Sequence, residues 1–132
     1  MEIFERESLI VLDSSVWIAY LHEEDSQHKK ARELVGELTN PLIVPAEVLS
    51  EVATALRNKK REDLAKGFTM QVISGVSPLL VSNEDTVRRT AEVFVARKDK
   101  LSFTDTALLA LARSYQVITF DRDLRRAIEQ GN

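Results

Sequence analysis

The sequence predicts an α/β fold, a three-layer α/β/α sandwich around a central parallel sheet. Two observations carry this. Four short runs, residues 9–13, 42–44, 78–81 and 117–119, are dominated by aliphatic and β-branched side chains, as strands buried on both faces require. The longer stretches between them place apolar residues at helical spacing, and strands alternating with helices specify parallel pairing through right-handed crossovers. The ends of all four strands are then expected to share one edge, where open α/β sheets bind their ligands.

Each element has its own local reason. The first run ends at Asp13, and Ser14-Ser15-Val16-Trp17-Ile18 follows as a helix start that Asp13, Ser14 or Ser15 can cap. Residues 25–38 put Ala31, Leu34, Val35 and Leu38 on one helical face. Residues 46–59 repeat the pattern with Val48, Leu49, Val52, Ala53 and Leu56. Asn83 is placed to cap a helix carrying Val87, Ala91, Phe94 and Val95. Ser102 precedes Asp105 at capping-box spacing, ahead of the nearly all-apolar stretch 107–112, a helix expected to be buried on most sides. A final helix is expected to start at Asp121.

The chain has 132 residues, enough for one domain spanning 1–132, and its 44% hydrophobic content suffices for an ordinary core. No cysteine occurs, which excludes disulfides, zinc-thiolate sites and thiol nucleophiles and fits a reducing compartment. No apolar run approaches the ~20 residues of a membrane span, and Met1–Glu7 lacks the basic start and apolar middle of a signal peptide. A soluble, cytoplasmic protein with no membrane partner is the expectation. The net charge of -3 gives no global attraction to nucleic acid, so such a partner needs a local basic patch. Arg57-Asn58-Lys59-Lys60-Arg61, Arg97-Lys98-Asp99-Lys100, and Arg122 with Arg125 and Arg126 are candidates that solvated helix ends also explain. No Gly-x-x-x-x-Gly-Lys loop is present, which excludes a P-loop nucleotide site.

The acidic residues are unusual in their placement. Asp13 and Asp121 fall just beyond expected strands, whereas Glu51 and Asp105 lie on helices that should pack beside them. At 100° per residue Glu51 sits roughly 120° from the apolar centre of its helix, at the boundary of the buried face, and Glu47 is farther round at roughly 160°, toward solvent. As an i,i+4 pair of like charges, Glu47 and Glu51 cost a few tenths of a kcal/mol unless something offsets them. Asp13, Asp105 and Asp121 each have a competing reading as helix caps. Capping alone does not require all four acids to converge. Ser15, two residues beyond Asp13, can hydrogen-bond a carboxylate or a metal-bound water. An oxygen-only pocket of this kind selects a hard cation such as Mg²⁺ or Mn²⁺. His22 and His28, separated by a charged segment, read as surface residues, and without cysteine a structural zinc site is unexpected.

Four segments together resemble the successive motifs of the PIN-domain family, with the VapC-type toxin ribonucleases as the nearest subgroup. They are Leu12-Asp13-Ser14-Ser15-Val16-Trp17-Ile18, then Pro45 with Glu51-Val52-Ala53-Thr54-Ala55-Leu56, then Leu101-Ser102-Phe103-Thr104-Asp105-Thr106-Ala107-Leu108, and Val117-Ile118-Thr119-Phe120-Asp121-Arg122-Asp123-Leu124. Their order and spacing cover essentially the whole chain. The resemblance implies Mg²⁺- or Mn²⁺-dependent hydrolysis of RNA phosphodiester bonds, a cognate antitoxin that blocks the site, and toxin homodimers. It further implies metal-ligating and catalytic roles for Asp13, Glu51, Asp105 and Asp121, with Asp123 as an auxiliary acid and Ser15 and Thr119 as small polar residues beside the metal.

Two other readings compete. A PIN-like scaffold that grips RNA or protein without cutting would keep the fold and lose only the chemistry. A receiver or haloacid-dehalogenase-like phosphotransfer domain also places Asp after its first strand, but Asp13-Ser14-Ser15 lacks that motif's second Asp and no Lys-bearing late strand is evident. Apolar residues such as Trp17, Tyr20, Leu21 and Leu49 exceed what a small sheet needs, which leads to the expectation of a homodimer or a docked antitoxin helix.

Overall fold

The computed structural model describes residues 9–131, so the expectation drawn from Met1–Glu7 lies outside the described residues. The chain runs β1 (Ile10–Leu12), α1 (Ser14–Leu21), α2 (His28–Gly36), β2 (Val44–Pro45), α3 (Ala46–Asn58), α4 (Glu62–Ile73), β3 (Leu79–Leu80), α5 (Glu84–Ala96), α6 (Phe103–Leu111), β4 (Gln116–Ile118) and α7 (Arg122–Glu129). This is the expected alternation of strands and helices.

Both strand pairs are parallel. β1 pairs with β4, Val11 opposite Val117, and β2 pairs with β3, Val44 opposite Leu79. The two halves meet where Leu42 bridges Ile10, the Ile10 N–H donating to the Pro41 carbonyl at 3.0 Å and the Ile43 N–H to the Ile10 carbonyl at 2.9 Å. The strand order across the chain is therefore β3-β2-β1-β4. Because all four run the same way, Asp13, Pro45 and Thr119 leave the sheet along one edge.

The strands are shorter than the apolar runs that announce them. Asp13 leaves β1 because its extended backbone and side chain cap α1, and Thr119 leaves β4 because its hydroxyl turns toward Asp13. α2 starts at His28 rather than at residue 25, since the Asp25 carboxylate accepts from the Gln27 N–H at 2.8 Å and closes a local turn that competes with the helix. His28 is half-buried, its Nδ1 hydrogen-bonded to the Ala19 carbonyl at 2.7 Å, so it ties α2 to α1 rather than lying free on the surface. Glu47 is likewise half-buried where its helical angle predicts exposure. Periodicity does not separate α4 as an element of its own. It places Leu64, Ala65, Phe68 and Val72 at helical spacing behind a tight turn, in which Lys60 takes a left-handed φ of 62° just past the end of α3.

α4 also corrects the surplus of apolar surface. Trp17 is fully buried, its ring 4.8 Å from that of Phe68 on α4, and Tyr20, Leu21 and Leu49 pack against the core. Val11, Leu12, Val16, Val48, Val52, Leu56, Leu108 and Leu124 complete that core with no exposed surface. Fully burying one such side chain stabilises by about 1.5–3 kcal/mol. The apolar residues left exposed lie elsewhere, among them Met70 and Ile73 at the end of α4, Val76 and Val81 on either side of β3, and Val95 on α5. Among the described residues no helix is long and apolar enough to cross a membrane.

Candidate active site

Asp13 is the buried centre of the strand-end edge, with only 3% of its surface exposed. A carboxylate there must be hydrogen-bonded throughout. Oδ1 accepts from the Ser14 N–H at 2.7 Å, while Oδ2 accepts from the Thr119 hydroxyl at 2.7 Å and the Ser15 hydroxyl at 3.0 Å. The two hydroxyls carry the lattice onward. Thr119 Oγ1 accepts from the Asp121 N–H at 2.9 Å, and Ser15 Oγ accepts from the Phe120 N–H at 3.1 Å. Asp13, the start of α1 and the start of α7 thus form one hydrogen-bonded unit. Arg125 reinforces it by donating to the Thr119 carbonyl at 3.1 Å.

The remaining acids reach this edge from three elements. Glu51, half-buried on α3, has its pKa raised: burial pushes it up, the Ser14 hydroxyl pulls it down, and the charge of Asp13 pushes it up again. Thr104 and Asp105 act on it with smaller opposed effects. Asp105 is also raised, by burial first, against the backbone N–H of Ser102 that lowers it, with the charges of Asp13 and Asp121 raising it further. Asp121 caps α7 by accepting from the Leu124 N–H at 2.9 Å and is solvent-exposed. Glu51 is therefore linked by charge to Asp13 and Asp105, and Asp105 to Asp13 and Asp121, across four segments remote in sequence. Asp123 is exposed in the first turn of α7, outside the lattice around Asp13.

Among the described residues no three acidic or imidazole side chains stand close enough to hold one ion as they are placed. The physical reason is local. Asp105 completes a capping box, its Oδ2 accepting from the Ser102 N–H at 3.1 Å while its own N–H donates to Ser102 Oγ at 3.0 Å. Asp13 and Asp121 likewise use an oxygen on the helix each one caps. Like charges also repel.

Two residues not singled out from sequence belong to the site. The sequence marks Ser14 only as a possible cap and Thr104 only as a motif position, yet their hydroxyls both act on Glu51. Thr104 precedes Asp105 directly, and a polar residue beside an acid at a helix start is the available signal.

Three comparisons bear on this arrangement. The PIN domain family profile matches residues 10–129. The crystal structure of VapC20 from Mycobacterium tuberculosis, titled a sarcin-ricin loop cleaving toxin, superposes with a TM-score of 0.82 at 24% identity, covering 89% of this chain and 94% of that one. No curated protein matches the sequence significantly.

Proposed function

The chain belongs to the PIN domain family, and from that premise we propose that it is a Mg²⁺- or Mn²⁺-dependent endoribonuclease, the toxin of a toxin–antitoxin pair. One observation carries the reading. Four acids from the end of β1, from α3, from α6 and from the start of α7 come together at the strand-end edge, where Glu51 feels the charges of Asp13 and Asp105, and Asp105 those of Asp13 and Asp121. The fold-level likeness to an RNA-cleaving toxin supports RNA as the substrate class.

The residues present fit a hard divalent cation. Every donor at the edge is an oxygen, and the pKa values of Glu51 and Asp105 are raised by burial first and by the neighbouring acids to a smaller extent, a bias that a bound cation would oppose. Asp13, Glu51, Asp105 and Asp121 would hold the cation, with Ser15, Thr119 and Asp123 beside it. Bound there, it supplies an activated water and charge neutralisation on the phosphate. The chain's own part is positioning. Ser14, Ser15 and Thr119 fix the orientation of Asp13, and Asp121 is set by the Thr119 hydroxyl on its backbone and by the cap of α7. Phosphodiester hydrolysis then adds water across one P–O bond and releases a hydroxyl and a phosphomonoester end.

A homodimer and a cognate antitoxin complete the proposal. Exposed Ile73, Val76 and Val81 are the apolar surface that supports such partners. The test is to incubate wild type, Asp13→Asn and Asp121→Asn with structured and single-stranded RNAs in Mg²⁺, Mn²⁺ or chelator. Wild type should cut only with a divalent cation, and both variants should lose several orders of magnitude in rate while remaining folded. Cleavage in chelator, or by folded Asp13→Asn, would sink the mechanism; no cleavage of any RNA would leave a PIN-like binding module.

A further inference from the structure

We propose that RNA reaches the acids along α3, as a single strand lying in a trough that leads from Glu51 over Thr54 and Asn58 to the basic junction of α3 and α4. The proposal rests on the ribonuclease reading and adds to it the path of the substrate. Two hollows adjoin on the surface. One is lined by Ser14, Ile18, Glu51 and Ala55, the other by Arg57, Ala65, Lys66 and Thr69, and Thr54 and Asn58 line both. The first therefore opens on the acid edge and the second on a cationic surface, with two small polar side chains at the junction. Glu51, Thr54 or Ala55, and Asn58 follow one another along one face of α3, so the track from acid to amide is about 10 Å long at 1.5 Å per residue.

Charge chooses the occupant. The four acids repel a polyanion, so a phosphate backbone needs an attractive hold nearby, and a chain of net charge -3 has none globally. Residues 57–66 supply it locally: Arg61 is held by Glu23 at 2.7 Å and Asp63 at 3.1 Å, which leaves Arg57, Lys59, Lys60 and Lys66 against the one carboxylate of Glu62. Arg57 and Lys66 share the single carboxylate of Glu62, at 2.9 and 3.9 Å, while Lys59 and Lys60 are exposed and make no ion pair among the described residues. Packed helices with axes about 8–10 Å apart leave a furrow for one chain and not for a duplex. No aromatic ring lines either hollow, so the grip is on phosphate and sugar and is tolerant of base sequence.

The experiment measures binding of a fluorescein-labelled single-stranded RNA by anisotropy in an Asp13→Asn background with chelator, so that nothing is cut. The triple variant Arg57→Gln, Lys59→Gln, Lys66→Gln should bind at least tenfold more weakly, and its log–log salt slope should be shallower by about 0.7 for each phosphate the protein no longer neutralises. Thr54→Glu, which narrows the trough at an exposed helical position, should weaken binding without touching the basic residues. Arg89→Gln, Lys98→Gln, Lys100→Gln removes as many charges elsewhere and should bind within twofold of the parent. With Asp13 restored, the first triple variant should raise KM and leave kcat unchanged. If that variant or Thr54→Glu binds like the parent, or the control loses as much, the path is wrong and the ribonuclease reading stands. If wild type neither binds nor cuts RNA, both fall.

Discussion

Thr119 donates its hydroxyl to Asp13 Oδ2 at 2.7 Å and accepts the Asp121 N–H on the same oxygen at 2.9 Å, joining two acids that lie 108 positions apart in the chain through one side chain. The hydroxyl has one proton to give and two lone pairs to offer, and this geometry uses the proton toward the carboxylate. Its direction is fixed because a backbone N–H can only donate. Thr119 therefore holds the Asp13 side chain aligned while setting where α7 begins.

Thr119→Val keeps the shape and removes both hydrogen bonds. Asp13 is left with one fewer donor in a buried position, and the Asp121 N–H loses its partner, so the variant should unfold about 1–3 kcal/mol more easily. Cleavage should fall more steeply than stability. Thr119→Ser, which retains the hydroxyl, should recover most of both. Denaturant melts and RNA cleavage rates on the three proteins decide it, and equal activity in the Val variant would remove Thr119 from the site.

Glu51→Gln should stabilise the chelated protein while lowering its cleavage rate. The amide carries no charge for burial, Asp13 and Asp105 to penalise, and it can still accept from the hydroxyls of Ser14 and Thr104. Because Glu51 is only half-buried, solvent screening limits the gain to under about 1 kcal/mol, a melting-point rise of a few degrees. A lower melting point in chelator would show that Glu51 serves the fold rather than the site.

The pH dependence follows from the same groups. Glu51 and Asp105 have folded-state pKa values raised above the unfolded ones, so the folded state binds more protons and stability falls as pH rises through the folded values. Chelated protein should accordingly gain stability as pH drops from neutral toward the ordinary carboxylate range of about 4. Below it the sign reverses. Asp63 and Asp99 are lowered by hydrogen bonds from Arg61 and Arg97, and protonating them removes stability. Melting temperature against pH should pass through a mildly acidic maximum, and Glu51→Gln should flatten its neutral side. A monotonic rise up to neutral pH would contradict this.

The acids are legible because each carries a positional signal in the sequence: Asp13 and Asp121 end apolar runs, and Asp105 stands three residues after Ser102. From sequence, the cap and functional readings compete. In the structure the cap takes only one oxygen of Asp13, at the start of α1, and the other accepts from Thr119 and Ser15. The packing of Trp17 is not legible. Its partner Phe68 lies on α4, and no local pattern reports that two helices separated by the whole of α2 and α3 will meet at 4.8 Å. Without that partner, buried apolar residues read as surface. Thr104 escapes the sequence for a related reason, because an effect on Glu51 of another helix leaves no periodic trace.

Divalent cation binding should be visible without any substrate. Mg²⁺ or Mn²⁺ added to chelated protein favours the folded state by RT ln(1 + [L]/Kd), about 2.7 kcal/mol at one hundred times Kd, so the melting temperature should climb with concentration where matched ionic strength from NaCl does not move it. Asp13→Asn and Asp105→Asn should each blunt the climb. The raised carboxyls add a second signature. At mildly acidic pH the raised carboxyls of Glu51 and Asp105 take up protons before ordinary carboxyls do and a cation competes with those protons, so the stabilisation should be smaller there than at neutral pH, and binding there should release protons in calorimetry run in buffers of different ionisation enthalpy. Glu51→Gln should reduce that release. A melting temperature indifferent to both cations at neutral pH, or equal shifts in wild type and both Asp variants, would detach the acid cluster from metal binding and leave Asp13, Glu51, Asp105 and Asp121 as helix caps and boundary residues.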